Sequence, residues 1–276
     1  MIPSKISVRT ALLSALGLCL AFTASVQGQV VIRSTLDGNG SDAYGRRTNS
    51  ATNFGAATAL TVQGSGSSDE SLIYLRFDLS GLAGGLTSDS IRFPDLALTT
   101  VSASIPNTVI FSVFGLVDGT NADRVPNGDV TTGGWLETGT NSLTFTNAPG
   151  RNGSTVTTSS GAQTGTPTSY GTDIGTFTLA LSGGTTFTLG SNLSNVDSES
   201  ATFAANLENF LRADTNGVAT LVIRSSVNTA YQFASKENAG TGNEPTLSFT
   251  LVPEPGAAGL IALGGLGLLM RRRRNG

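Results

Sequence analysis

The chain has 276 residues, of which only 13 % are charged: 16 basic and 19 acidic, for a net charge of −3. It contains no histidine and a single cysteine, Cys19. The commonest acid–base residue and transition-metal ligand is therefore missing, and no internal disulfide can form.

At the N-terminus, Lys5 and Arg9 precede an apolar stretch from Ala11 to Phe22 that is too short for a stable membrane span. Small residues follow, with Val26 and Gly28 at the spacing a signal peptidase favours. This pattern predicts a signal helix within residues 1–28, cut by signal peptidase after Gly28. Cys19 does not mark a lipid anchor, because Leu18 precedes it where a small residue is required. An exported chain without disulfides must be held by its core, with a metal as a further candidate.

Residues 29–252 form the expected body. Setting aside Lys5, Arg9, the four terminal arginines and Glu254 leaves 10 basic and 18 acidic residues, a net of −8. Such a surface argues against nucleic acid, whose phosphates need Lys and Arg. It is compatible with neutral glycans or with calcium bridging.

The body reads as short strands separated by Gly, Ser, Thr, Asn and Asp. Strands are expected at 30–33, 59–63, 71–79, 96–103, 108–117, 143–147, 175–181, 185–189, 218–225, 231–234 and 246–252. Within 71–79, Ile73, Leu75, Phe77 and Leu79 share one face, and Leu72, Tyr74, Arg76 and Asp78 share the other. The segment 108–117 is apolar on both faces, as a central strand would be. Between Ser198 and Arg212, Phe203, Leu207, Phe210 and Leu211 recur with helical spacing. That predicts an amphipathic helix capped by Asp197 or Ser198 and lying as a lid across one end of the sheets. Residues 148–172 are rich in Gly, Ser and Thr and read as a loop. The pattern predicts an all-β fold, an antiparallel β-sandwich or jelly roll with one short helix.

The C-terminus is tripartite. Pro253 and Pro255 on either side of Glu254 break regular structure, an apolar run from Ala257 to Met270 follows, and Arg271, Arg272, Arg273 and Arg274 close it. The run suits most of a transmembrane helix over 257–270, with the arginines kept on the cytoplasmic side. This order resembles the PEP-CTERM sorting signal of Gram-negative bacteria. The resemblance implies export through the inner membrane, transient anchoring there, processing by an exosortase, and a final place at the cell surface or in the extracellular matrix. A plain C-terminal anchor is the other reading.

A second resemblance spans the body. Asp42-Ala43-Tyr44, Asn53-Phe54-Gly55, Leu60-Thr61-Val62 and Tyr74-Leu75-Arg76-Phe77-Asp78-Leu79-Ser80 follow one another in the order seen at the start of DNRLRE-type domains. Trp135-Leu136-Glu137, Leu143-Thr144-Phe145-Thr146-Asn147-Ala148-Pro149, Phe233-Ala234-Ser235-Lys236-Glu237 and Glu244-Pro245-Thr246-Leu247 continue it. These domains are related to carbohydrate-binding modules of family 96. Gly45 departs from the usual β-branched residue, Phe145 from a tryptophan, and Lys236 and Thr246 from arginines. Losing two arginines in an acidic body weakens the case for an acidic polysaccharide such as alginate.

Several side chains have two readings. Trp135 is either a plate for a sugar ring or a plug in the sandwich, with Glu137 tying down the loop that follows. Tyr74, Arg76 and Asp78 form either a sugar site or an outer sheet face. Tyr44, Arg46 and Arg47 are further candidates for glycan contact. Asp42 and Glu237 lie in terminal strands expected to be neighbours, where they either help bind a structural calcium or bond to loop backbone. The loops at Asp37 and Asp118 lack full EF-hand spacing and read as Asx turns. No converging acid–base pair is apparent. The expectation is a non-enzymatic surface protein associating with extracellular polysaccharide, and not with nucleic acid. The alternatives are a matrix protein without a specific ligand and a polysaccharide-degrading enzyme.

Overall fold

Strand β4 (Ser71–Asp78) shows how the sequence pattern becomes architecture, because both of its faces are buried. Ile73, Leu75 and Phe77 point into one apolar core, while Leu72 and Tyr74 enter a second cluster on the opposite face. The computed structural model describes residues 28–64, 68–82, 90–118, 135–139, 142–149, 171–238 and 242–252. Val30–Leu251 forms one compact unit. The predicted signal segment and the sorting motif, Pro253 to Pro255 with Arg271 to Arg274, lie outside the described residues. Among the described residues no helix is long and apolar enough to cross a membrane.

In chain order the strands are β1 (Gln29–Ser34), β2 (Ser41–Arg46), β3 (Ala59–Val62), β4, β5 (Ile91–Thr99), β6 (Ser104–Ile105), β7 (Ile110–Gly115), β8 (Thr172–Thr178), β9 (Leu181–Ser182), β10 (Thr186–Gly190) and β11 (Ser198–Glu199). Helix α1 (Phe203–Arg212) follows, then β12 (Val218–Ser225), β13 (Tyr231–Ala234) and β14 (Thr246–Leu251). A four-stranded sheet runs β1-β14-β5-β10 and a six-stranded sheet runs β11-β8-β7-β12-β4-β2. β13 pairs with β3, and β6 with β9.

The two large sheets share one core, which makes the fold an antiparallel β-sandwich. At its centre Phe111 of β7 stacks on Phe177 of β8 with ring centroids 5.1 Å apart. Phe187 of β10 reaches across from the other sheet to Phe177 and to Phe233, each at 5.7 Å. Offset and edge-on ring pairs of this kind add to the burial of large apolar area. β7 is central, as its two apolar faces predict: Phe111 and Val113 enter the main core and Phe114 enters the second cluster.

Helix α1 forms where the spacing predicts, with Phe203, Leu207, Phe210 and Leu211 buried. It packs on β8 of one sheet and on β5 and β10 of the other, so it bridges the two layers. A Cβ at Gly115 would stand 2.4 Å from the Phe210 ring, so glycine on β7 is what lets that ring lie flat there. The helix starts later than predicted. Ser198 and Asp197 do not cap it; both side chains bond to the Thr178 hydroxyl while Ser198–Glu199 adds a short strand to β8. Local side-chain bonding to a neighbouring strand has displaced the cap.

Two further expectations are corrected. Residues 143–147 are not a strand: Thr144 makes a single bridge to Asn53, and its amide donates to Asn147 Oδ1 at 2.7 Å, closing a turn. β5 begins at Ile91 rather than at 96, running through Pro94. A proline in a strand paired on both sides requires an irregularity. The register with β14 slips between Ser248 and Thr250, opposite Phe93 and Pro94.

Glu199 links the two sheets, its Oε2 accepting the Gly190 amide of β10 at 2.8 Å. Burial, and secondarily the charge of Asp95, push its carboxyl up to about 7. The native state thus holds this proton more tightly than the unfolded chain. The stabilisation is complete below about pH 4.5 and is lost as pH rises to about 7. Glu199→Gln keeps a neutral acceptor for Gly190. Its urea midpoint is expected to fall less than that of the wild type between about pH 5 and about pH 8. An unchanged pH dependence would show that Glu199 is not the group responsible.

Candidate functional site

The outer face of the six-stranded sheet, where Tyr74, Arg76 and Asp78 were expected to meet either a sugar or solvent, is covered. Trp135 and residues 142–149 lie over it, and Ala43, Leu72, Tyr74, Phe114, Leu116, Trp135, Leu143, Ala148 and Val222 make a continuous second core. Tyr74 is 0 % exposed and Arg76 2 %. The Tyr74 ring meets Trp135 edge-on at 6.1 Å, and its hydroxyl donates to the Pro149 carbonyl at 3.0 Å.

Arg76 organises this face. Its guanidinium lies 4.5 Å from the centre of the Trp135 ring, a cation–π contact. Nε donates to the Asn39 carbonyl at 2.7 Å, one terminal nitrogen to the Trp135 carbonyl, and the other to Ser41 Oγ at 2.6 Å. The Trp135 indole N–H donates to Thr220 Oγ1 at 3.4 Å. Asp78 accepts the Asn39 amide at 2.7 Å and the Ser80 amide at 2.8 Å. Burial pushes its carboxyl up, but the hydrogen bonds from Ser80 and Asn39 outweigh that and hold it below the usual range.

Of the two readings of Trp135, these contacts show the plug, and Tyr74, Arg76 and Asp78 are buried beside it, so neither ring has an open face for a ligand. Tyr44 is buried as well, stacked on Phe54 at 4.5 Å. Arg46 and Arg47, at the end of edge strand β2, pair with Asp69 and Glu70. Only Arg46 keeps substantial exposure, at 38 % of its side chain. The loop aspartates bond to backbone without forming the expected Asx turns: Asp37 accepts the Ser34 amide at 2.7 Å, and Asp118 reaches across the fold to the Thr215 amide at 2.6 Å.

Asp42 and Glu237 do come together, though not as strand neighbours. β2 is the edge of the six-stranded sheet, whereas β13 pairs with β3, and Glu237 sits in the turn just beyond β13. Glu137 joins them, so that one carboxylate oxygen of each residue lies within 4.8 Å of the other two. Asp42 Oδ2 accepts the Thr35 hydroxyl at 2.7 Å and the Lys236 amide at 2.9 Å. Lys236 Nζ forms an ion pair with Glu137 Oε2. Burial, then the Glu237 and Glu137 charges, push the Asp42 carboxyl up to about 7. Burial pushes Glu137 up as well, against the opposing pull of Lys236.

Two contributions were not read from the sequence. Glu137 was assigned to loop bonding, and its convergence with Asp42, 95 residues earlier, leaves no spacing signal. Phe93 was not singled out, yet it is 61 % exposed and holds φ +53° at the β5 irregularity. A positive φ in an aromatic residue is an outlier that costs of order 1–3 kcal/mol. The signal available was Pro94, which forces such an irregularity once the segment is a paired strand.

A β-sandwich with one sheet face sealed by a loop is the frame on which comparison with known proteins bears. Carbohydrate-binding module family 96 matches residues 38–206, and the chain belongs to that family. No curated protein sequence matches it. The match ends inside α1, but the domain does not, since β12 lies between β7 and β4 in the middle of the six-stranded sheet.

Arg76→Ala is expected to cost about 3 kcal/mol, because it leaves buried carbonyls without donors and opens a void beside Trp135. Arg46→Ala is expected to cost under about 1 kcal/mol, as an exposed ion pair does. Urea denaturation of both variants measures the contrast, and equal costs would contradict the sealed-face reading.

Proposed function

We propose that the chain is an exported, non-enzymatic surface or matrix protein whose β-sandwich associates with extracellular polysaccharide. The observation that carries this reading is membership of carbohydrate-binding module family 96 over residues 38–206. Modules of this kind are non-catalytic. The basic and apolar N-terminal segment and the tripartite C-terminal ending support export, exosortase sorting, and residence at the surface of a Gram-negative bacterium.

With the six-stranded sheet sealed, the contact falls to the four-stranded sheet. On β14, Thr246, Ser248 and Thr250 alternate with Leu247 and Phe249, whose side chains are buried. Thr246, Ala97 and Thr188 stand side by side across β14, β5 and β10. This outward row offers hydroxyls at strand spacing, and Phe93 supplies an exposed ring on the same sheet. Such a surface suits shallow, low-affinity contact, with a pyranose stacking on the ring and its hydroxyls bonding to threonine. The burial of Tyr44, Tyr74 and Trp135 favours a second reading, a matrix protein without a specific ligand.

Affinity electrophoresis against neutral and acidic polysaccharides separates the two. Retardation by at least one glycan is expected, reduced about tenfold or more in apparent affinity by Phe93→Ala. That variant is also expected to be no less stable, because it removes an exposed ring. Absence of retardation by every glycan would favour the ligand-free matrix role, and sustained release of reducing or unsaturated ends would revive an enzymatic one.

A further inference from the structure

We propose that Asp42, Glu137 and Glu237 form a divalent-cation site, suited to calcium, that clips together three distant segments of the domain. The three carboxylates converge to within 4.8 Å from β2, from the segment after Trp135, and from the turn after β13. Convergence alone would not make a site. The decisive feature is that Asp42 is 0 % exposed and its Oδ1 has no hydrogen-bond partner. Its other oxygen is fixed by the Thr35 hydroxyl and the Lys236 amide, so the unpartnered oxygen is held in one orientation. Glu237 Oε2 is likewise buried without a partner. A buried carboxylate oxygen lacking a donor is costly, and a bound cation removes that cost.

The charge count points the same way. With all three carboxylates ionised, as a bound cation would hold them, one paired cation, Lys236 on Glu137 Oε2, leaves two negative charges for one divalent ion to cancel. Every donor is a hard oxygen, and the chain has no histidine, so zinc and copper are poorly served. Calcium accepts an irregular shell completed by water or backbone carbonyls, whereas magnesium requires a near-octahedral one and gives up its water reluctantly. Glu137 and Glu237 are only partly buried, which leaves an approach from their side. The ion would close loops of 95 residues and more, the role disulfides fill in other exported domains. This inference stands whether or not a glycan binds.

The test uses the full-length chain purified in detergent, stripped with chelator, with unfolding followed by fluorescence of Trp135, two residues from Glu137. Calcium chloride at about 1 mM is expected to raise the unfolding temperature by about 5 °C or more, with magnesium chloride giving less than half that shift. Native mass spectrometry is expected to count one calcium per chain. Asp42→Asn is expected to abolish the shift. Should that variant fail to fold, Glu237→Gln, altered only at the partly buried rim, is expected to weaken calcium binding at least about tenfold. No shift in the wild type, an equal shift with magnesium, or an undiminished response in Glu237→Gln would each overturn the proposal.

Discussion

Arg76 reaches from the middle of β4 to oxygens of Asn39, Ser41 and Trp135 while its plane lies against the Trp135 indole. A guanidinium is always charged, and burying one is favourable only if its donors are used. Here Nε and both terminal nitrogens have partners, and those partners belong to the turn before β2, to β2 itself and to the segment after the 119–134 region. The buried cation therefore specifies how the covering segment sits on the six-stranded sheet. Once Trp135 is placed, Leu143 and Ala148 close over Leu72 and Val222, and Tyr74 can reach the Pro149 carbonyl. One charged side chain thus ties the covering segment to the sheet, and the second core lies between them.

Gly45 and Phe145, singled out in the sequence, become one feature in space. Gly45 and Phe145 are a hundred residues apart, yet a Cβ on Gly45 would come 3.0 Å from Phe145 Cα and 3.1 Å from its nitrogen. A β-branched side chain at position 45 would hold the covering segment off the strand. With glycine there the backbone of residue 145 lies directly on β2, and Phe145 is buried with Arg47 5.9 Å from its ring centre. A phenylalanine in place of a larger indole fits the closer approach.

Most of the strand plan was legible because period-two alternation and central apolar runs report burial directly. β12 and β13 fall on the expected residues, and α1 buries the four side chains its spacing selects. What failed to show were features decided by tertiary contact. Burial of Arg76 is invisible to a pattern that reads arginine as outward, because the partners that make it tolerable come from 35 to 59 residues away. Residues 143–147 alternate like a strand, but the Asn147 side chain captures the Thr144 amide first and turns the chain. The site was half visible for a similar reason. Asp42 and Glu237 stood out as acidic residues in ordered segments, whereas Glu137 joins them only because the Trp135 plug carries it there.

A module with one face sealed has a different binding problem from one with two open faces. The aromatic side chains on the six-stranded sheet, Tyr44, Tyr74 and Trp135, are buried, and so is Arg76. Among the described residues, the four-stranded sheet keeps its hydroxyl row and one exposed aromatic ring, Phe93, held outward by a backbone that tolerates strain. Strain of that kind persists only where the surroundings over-determine it. Pro94 and the register slip against β14 supply that constraint here. The carboxylate cluster lies at the edge of the six-stranded sheet, where Asp42, paired with Leu75, is on the face turned to the main core. Asp42 belongs to the six-stranded sheet and Glu137 to its covering segment, so a cation there would reinforce the seal and leave the four-stranded sheet free to meet a polymer. A substitution that weakens the proposed cation site need not alter the surface proposed to face a glycan.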